Sequence, residues 1–276
     1  MLLSVVWDVD PAIFTIPEIH IGNLSLFGNE VRWYGLMWAI GFMVGYEVIR
    51  RIFRNDGYKD DVADNFFMYM LIGTVIGARL GHCFFYDWDY YSKHLIEVLY
   101  VHQGGLSSHG GAIGIFTVMF YFSRKVVKQS FYWMMDRVVI PTAICGRCIR
   151  FGNLMNSEIY GIPTDLPWGF IFVRDGQTVP CHPTQIYEML YCIVAFITTL
   201  YMYWKTNAKQ REGFIFGVFL VIVFLSRILI EFIKNNQSDF EQDMLFNMGQ
   251  WLSLPLVIWG VYLIYKSLNK KEKVKA

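Results

Sequence analysis

The sequence predicts an all-α, polytopic integral membrane protein with about seven transmembrane helices, and three observations predict it. Of its 276 residues 55% are apolar and only 17% charged, a balance that excludes disorder and fits poorly with a water-soluble domain. The charges are clustered, and between the clusters lie apolar stretches of about 20 residues, the length that crosses roughly 30 Å of hydrocarbon as a helix. The basic residues, moreover, fall in alternate connections. With 24 Lys and Arg against 23 Asp and Glu, no global basic field exists to hold nucleic acid, so no nucleic-acid partner is expected.

The apolar stretches are residues 33–49, 65–85, 110–122, 138–155, 185–203, 214–233 and 248–265. The third is short and the fourth carries Arg147 and Arg150, so loop charge is what identifies both as spans. Arg50, Arg51, Arg54 and Lys59 follow the first stretch, and Arg124, Lys125, Lys128 and Arg137 the third. Lys205, Lys209 and Arg211 follow the fifth, and Lys266, Lys270, Lys271, Lys273 and Lys275 the seventh, so these connections hold sixteen of the 24 basic residues. The opposite connections hold little beyond Arg32, Lys93, Arg174 and Lys234. Only seven spans, with the N-terminus outside and the C-terminus cytoplasmic, satisfy this alternation.

The chain reads as one membrane-embedded domain, 1–276, with an outer N-terminal segment, 1–32, and a basic cytoplasmic tail, 266–276, suited to anionic lipid headgroups. Residues 1–7 are apolar but lack a basic start and run into Asp8, Asp10 and Pro11, which reads as an interfacial segment and not a signal peptide. Trp33, Tyr34, Trp88, Tyr90, Tyr91, Trp168 and Trp251 fall near span ends, where amphipathic rings anchor. The five cysteines, Cys83, Cys145, Cys148, Cys181 and Cys192, are odd in number and mostly inside spans, so they imply small packing residues and no disulfide framework.

Against this background the polar residues inside the spans stand out: Arg79, Arg147, Arg150 and Arg227, with Glu47, His82, Glu188 and Glu231. A charge at mid-bilayer costs at least ~2.5–3.5 kcal/mol on insertion scales, so such residues face a polar interior and usually serve a site. Arg227 and Glu231 are spaced i, i+4 and Arg147 and Arg150 i, i+3, so each pair shares a helix face. For Glu231 and Arg79 an internal ion pair joining helices is an equal reading. For Arg150 and Arg227 the excess of positive charge over nearby acid asks for an anion, and phosphate suits the guanidinium fork.

The run Gly104-Gly105-Leu106-Ser107-Ser108-His109-Gly110-Gly111 opens the third stretch. Its glycines let the backbone bend and expose N–H groups, and they set His109 where a span begins. A neutral imidazole there can accept a proton, although a satisfied polar histidine is the bland alternative. The segment Arg150 to Gly161 is dense in hydrogen-bonding side chains where lipid forbids them unless they face a cavity; a helix-capping network and a lipid-headgroup site are equal readings. His182-Pro183-Thr184-Gln185-Ile186-Tyr187-Glu188 opens the fifth stretch as a Pro-started helix with Gln185 and Glu188 on one face.

Together these residues resemble the bacterial prolipoprotein diacylglyceryl transferases. The resemblance rests on W-Y-G at Trp33 to Gly35, G-G-x-S-x-H-G-G at Gly104 to Gly111, R-x-G-N-x-x-N-x-E-x-x-G at Arg150 to Gly161, and H-P-x-Q-x-Y-E at His182 to Glu188. R-x-x-x-E at Arg227 to Glu231 and M-G-Q-x-L-S-x-P at Met248 to Pro255 complete six motifs in the family's order. The resemblance implies an enzyme of the bacterial cytoplasmic membrane, its active site towards the outer face. It would move the diacylglyceryl group of phosphatidylglycerol to the lipobox cysteine of a preprolipoprotein, forming a thioether and releasing glycerol phosphate.

By motif position the resemblance implies His109, Arg150, Arg227 and Tyr34 as catalytic residues. It implies Arg150, Asn153, Gly161, Glu158, Arg227, Glu231 and Gly110 as binding phosphatidylglycerol, and Asp136, His182, Gln185 and Glu188 as supporting them. Departures from the family pattern are Arg32 before Trp33, Gln103, Ser108, Arg147, and Lys234, where arginine is usual. No cofactor is needed, and no His/Cys/Asp cluster has metal-ligand spacing. An anion or lipid-headgroup transporter is the competing reading; it predicts two related halves and polar residues through the full membrane depth, neither of which the sequence displays. A seven-helix receptor would rest on span count alone.

Overall fold

The structure, a computed structural model, describes residues 4–21, 24–27, 30–100, 104–235 and 246–269; Gln103 and the tail beyond Asn269 lie outside them. In chain order the elements are strands β1 (Val5–Trp7), β2 (Ala12–Thr15), β3 (Glu18–Ile21), β4 (Leu24–Phe27) and β5 (Glu30–Arg32), then helices α1 (Trp33–Asn55), α2 (Asp60–Phe85), the short α3 (Trp88–Tyr91), α4 (Ser108–Lys125) and α5 (Phe131–Met155). Strand β6 (Phe170–Phe172) and helices α6 (Thr184–Lys205), α7 (Phe214–Glu231) and α8 (Met248–Asn269) follow.

Each of the seven apolar stretches is helical, and five of the helices, α2, α5, α6, α7 and α8, are long and apolar enough to cross a membrane. Helix α1 is diluted by glycines, Trp, Tyr and its arginines, and α4 by a polar first turn and its Arg124–Lys125 end. Most helices run past the apolar stretch at a charged end: α2 begins at Asp60, α5 at Phe131, and α8 continues to Asn269. Apolarity marks the hydrocarbon, whereas the backbone hydrogen bonds of a helix continue into the headgroup region. Met43, Ile72, Leu229 and Ile258 are each more than half exposed, a surface suited to lipid and not to water.

The all-α expectation is qualified at the N-terminus. Strand β2 pairs antiparallel with β5, and β3 with β4, while β1 runs parallel to β6 with Val5 opposite Phe170. Trp7 Nε1 donates to the carbonyl of Leu154 at 3.0 Å, and Arg174 pairs with Asp8 at 3.1 Å and Asp10 at 3.3 Å. Val5-Val6-Trp7 is β-branched and aromatic, and it finds a strand partner in the 156–183 connection.

The chain divides into two compact units, residues 1–47 with 138–276, and residues 48–137. In the first, α7 and α8 approach so closely at Gly217 and Gly260 that a Cβ on either would lie 2.8 Å from the other's carbonyl oxygen. In the second, Gly73, Gly77 and Gly81 of α2 face Gly110 and Gly114 of α4; a Cβ at Gly77 would lie 2.4 Å from the Gly110 carbonyl oxygen. Lipid supplies no hydrophobic drive between helices, so such small-residue stripes hold them by backbone contact. The far end of this unit is an aromatic core of Phe53, Phe66, Phe122 and Trp133, beside which Arg137 donates to Asp56 at 2.9 Å.

Candidate active site

The first unit gathers most of the polar residues singled out in the sequence. Glu188, one turn into α6, is fully buried, and the Nε of Arg150 from α5 lies 2.8 Å from its Oε2. Lys234, just beyond α7 and itself buried, donates from Nζ to Glu188 Oε1 at 3.3 Å and lies 3.6 Å from Glu231 Oε1. Arg227 Nε stands 3.4 Å from Glu231 Oε1, while Asn247 Nδ2 donates to Glu231 Oε2 at 2.9 Å. Gly249, on the first turn of α8, has no room for a side chain, because a Cβ would lie 2.6 Å from Glu231 Oε1. The i, i+4 spacing of Arg227 and Glu231 thus becomes part of a network joining α5, α6, α7 and α8.

Its asymmetry is the functional feature. The side chains of Glu188 and Glu231 are 0% and 7% exposed, whereas those of Arg150 and Arg227 are 20% and 36% exposed. Each buried carboxylate thus lies beside the Nε of a guanidinium whose side chain is partly exposed. Arg150 Nη1 donates to Asn153 Oδ1 at 3.1 Å, and among the described residues Arg227 Nε, although beside Glu231, is buried without a hydrogen bond. In the ion pairs of this network Arg150, Arg227 and Lys234 meet only Glu188 and Glu231, three cations on two carboxylates, an excess of positive charge as the sequence leads one to expect. Burial of the acids beside partly exposed guanidiniums is an arrangement from which charge-assisted hydrogen bonds to an anion can be made.

The end of α5 is organised around Glu158, whose Oε1 accepts from Asn153 Nδ2 at 2.8 Å and Asn156 Nδ2 at 3.3 Å. Ser157 and Ile159 on either side have φ of 55° and 61°, a left-handed backbone that is uncommon for serine and costly for a β-branched residue. Gln185 Nε2 donates to the Glu158 carbonyl at 2.7 Å, so the α6 start fixes this turn. Gly161 closes it: its N–H donates to His182 O at 2.8 Å, and a Cβ there would lie 2.2 Å from Ile233 O. His182 Nδ1 lies 3.3 Å from the Tyr187 hydroxyl, and burial pushes the imidazole below its ordinary pKa, keeping it neutral. Tyr34 lies over Gly152, where a Cβ would come within 2.7 Å of its ring. In the same connection Tyr160 is pushed up to about 12, by burial first and then by its hydrogen bond to Asp175.

His109 and Gly110 belong to the second unit. Ser107 caps α4, its hydroxyl accepting from the Gly110 N–H at 3.3 Å, which places His109 exposed on the first turn. Its Nδ1 lies 3.5 Å from the Tyr86 hydroxyl. Gly110 is buried against α2, where a Cβ would lie 2.2 Å from the Gly77 carbonyl oxygen, so its missing side chain serves helix packing. Asp136 is also buried, on the first turns of α5, some four turns before Arg150 along that helix. The structure therefore brings Tyr34, Arg150, Asn153, Glu158, Gly161, His182, Gln185, Glu188, Arg227 and Glu231 into one unit, with Asp136 in the other.

Arg79 forms no ion pair among the described residues, against one reading of the sequence; its partners are backbone carbonyls. Lys234 and Asn247 were not singled out as site residues, although a lysine directly after a span that ends in glutamate was a signal. The five cysteines are free thiols, and Arg147 is exposed on α5.

The chain matches the family model described as prolipoprotein diacylglyceryl transferase over residues 22–266. It is similar to the phosphatidylglycerol–prolipoprotein diacylglyceryl transferase of Chloroherpeton thalassium, 42% identical over 98% of this chain and 96% of the relative. The protein of the same name from Tolumonas auensis is 41% identical over 98% of this chain and 99% of its own length. That of Bacteroides fragilis is 38% identical over 100% of this chain and 99% of its own.

Proposed function

Because the chain belongs to the prolipoprotein diacylglyceryl transferase family, we propose that it transfers the diacylglyceryl group of phosphatidylglycerol to the lipobox cysteine thiol of preprolipoproteins, the first step of lipoprotein maturation. The observation that carries the reading is the pair of partly exposed guanidiniums, Arg150 and Arg227, each beside a buried carboxylate.

The reaction forms a bond from sulfur to the glyceryl carbon and breaks the bond from that carbon to the phosphate oxygen. The thiol must first lose its proton, since the thiolate is the nucleophile. His109 is the base that takes it. The departing group changes from a phosphodiester with one negative charge to glycerol phosphate with two, so contacts from Arg150 and Arg227 strengthen in the transition state and lower the barrier. Tyr34 and Asn153 orient the headgroup, Glu158, Glu231 and Gly161 shape its seat, and His182, Gln185 and Glu188 hold those residues in place. Gly110 and Asp136 support the fold of their own unit.

In this reading the chain is a single transferase domain of the bacterial inner membrane. It crosses seven times, its N-terminus outside and C-terminus cytoplasmic, with the site towards the outer face where an exported precursor presents its lipobox. The anion-transporter alternative gains nothing from the relatives. The test is a liposome assay of the purified protein with phosphatidylglycerol and a lipobox peptide, read by mass spectrometry. A diacylglyceryl adduct on the cysteine, absent from a Cys-to-Ser peptide, is expected. No adduct from folded protein, beside a working transferase, would overturn the reading.

A further inference from the structure

Arg79 lies deep in α2, is 3% exposed, and spends its guanidinium on backbone oxygens. Nε donates to Val98 O at 2.9 Å, Nη2 to Glu97 O at 2.6 Å, and Nη1 to Gly104 O at 2.6 Å and Gly105 O at 3.3 Å. The Tyr91 ring covers the same group, 5.0 Å from its central carbon. A charge with no carboxylate beside it is thus satisfied by carbonyl dipoles taken from both ends of one connection, the one that leads into α4. Four of the five guanidinium donors are used in this way on a side chain only 3% exposed, which leaves the group little with which to bind an anion.

What it does is fix where the connection runs. Gly105 has φ +69°, and a Cβ there would lie 2.6 Å from His82 Cδ2 and 2.8 Å from Arg79 Nη1, so the chain passes directly over the arginine. Two residues on, the Ser107 N–H donates to Ala78 O at 2.9 Å, at the position next to Arg79 on α2. Ser107 then caps α4 and His109 follows on the first turn, 3.5 Å from Tyr86 at the end of α2, with His82 stacked on that Tyr86 ring. The contacts of Ser107, His109 and Gly110 at the origin of α4 are thus made to the end of α2, from Gly77 to the Tyr86 that follows it.

We infer that Arg79 is a positioning residue for the reaction: by clamping Glu97, Val98, Gly104 and Gly105 it fixes the α4 start and holds the His109 imidazole in its working place. This rests on the reading of His109 as the base. Lysine carries the charge but offers one nitrogen in place of three, so Arg79→Lys releases the clamp without removing the cation.

The test compares Arg79→Lys, Gly105→Ala and His109→Ala with the unaltered protein in phosphatidylglycerol liposomes. Gly105→Ala loosens the same clamp with Arg79 intact, and it keeps the test alive if Arg79→Lys does not fold. For both clamp variants the expected result is a fall of at least 10-fold in kcat, KM for phosphatidylglycerol within two-fold, and the acid limb of the pH–rate profile displaced by half a unit or more. A rise in KM with kcat kept would make Arg79 part of the headgroup site and overturn the inference. So would a loss of activity that only follows the folded fraction, with the pH limb unmoved. If His109→Ala keeps its kcat, the base assignment itself has failed, whatever the clamp variants do.

Discussion

Arg79 and the pair Arg150 and Arg227 are arginines within apolar helices, and they are satisfied in opposite ways. Arg79 gives its guanidinium to backbone carbonyls and is closed off. Arg150 and Arg227 lie with Nε beside Glu188 and Glu231, Arg150 gives one further donor to Asn153, and both side chains stay partly exposed. A guanidinium inside a span therefore does not by itself mark a binding site; what matters is how many of its five donors the protein has already used. The same comparison holds for lysine, since Lys234 is spent between two carboxylates and is 1% exposed at its side chain.

The comparison breaks most severely at the buried acid. Glu188→Gln leaves Lys234 and Arg150 without their shared carboxylate, and removing one partner of a buried ion pair costs about 3–5 kcal/mol. A large drop in Tm is the outcome to look for, with partial recovery in Glu188→Gln combined with Lys234→Met; an unchanged Tm would show that the acid does not carry the network. Arg150→Lys comes next. Lysine cannot supply a bidentate contact, and losing such a contact in the transition state lowers turnover by roughly 100- to 1000-fold, about 3–4 kcal/mol, with normal membrane insertion. Near-normal turnover would remove Arg150 from its role.

Smaller effects sharpen the contrast between the two units. Gly77→Val forces α2 and α4 apart at the Gly110 carbonyl and is expected to cost about 1–3 kcal/mol of stability while leaving phosphatidylglycerol binding intact. Binding lost in proportion would couple the glycine stripe to the headgroup site. The smallest effect concerns His182. Burial holds its folded pKa below the unfolded 6.5, so the stability it contributes is complete above pH 6.5 and is lost as pH falls through the folded value. Melting curves between pH 8 and 5 are expected to show this decline, and to show less of it in His182→Gln.

Much of the site was legible in the sequence because its residues violate the rules of their surroundings: Arg150, Arg227, Glu188 and Glu231 are costly in apolar spans, and Gly161 and Gly152 sit among side chains that exclude a Cβ. Helix existence was legible for the same reason, from apolar length and loop charge. Helix ends were not, since Asp60 and Phe131 begin helices outside the apolar stretches, where apolarity carries no signal. Nor were the strands, because three residues such as Val5-Val6-Trp7 look alike whether they meet lipid or β6. Arg79 was ambiguous because carbonyl partners leave no trace in a sequence, whereas a missing acid does. The Gly73-Gly77-Gly81 spacing was present throughout; it is a packing signal that becomes readable once Gly110 and Gly114 are known to face it.

The most direct test of this account is native mass spectrometry of phosphatidylglycerol retained by the intact protein and by Arg150→Lys, Arg227→Lys and Arg79→Lys. Partly exposed guanidiniums predict that the first two variants lose bound phosphatidylglycerol at least 10-fold while Arg79→Lys keeps it. Equal loss in all three would contradict the distinction between the partly exposed and the buried arginines.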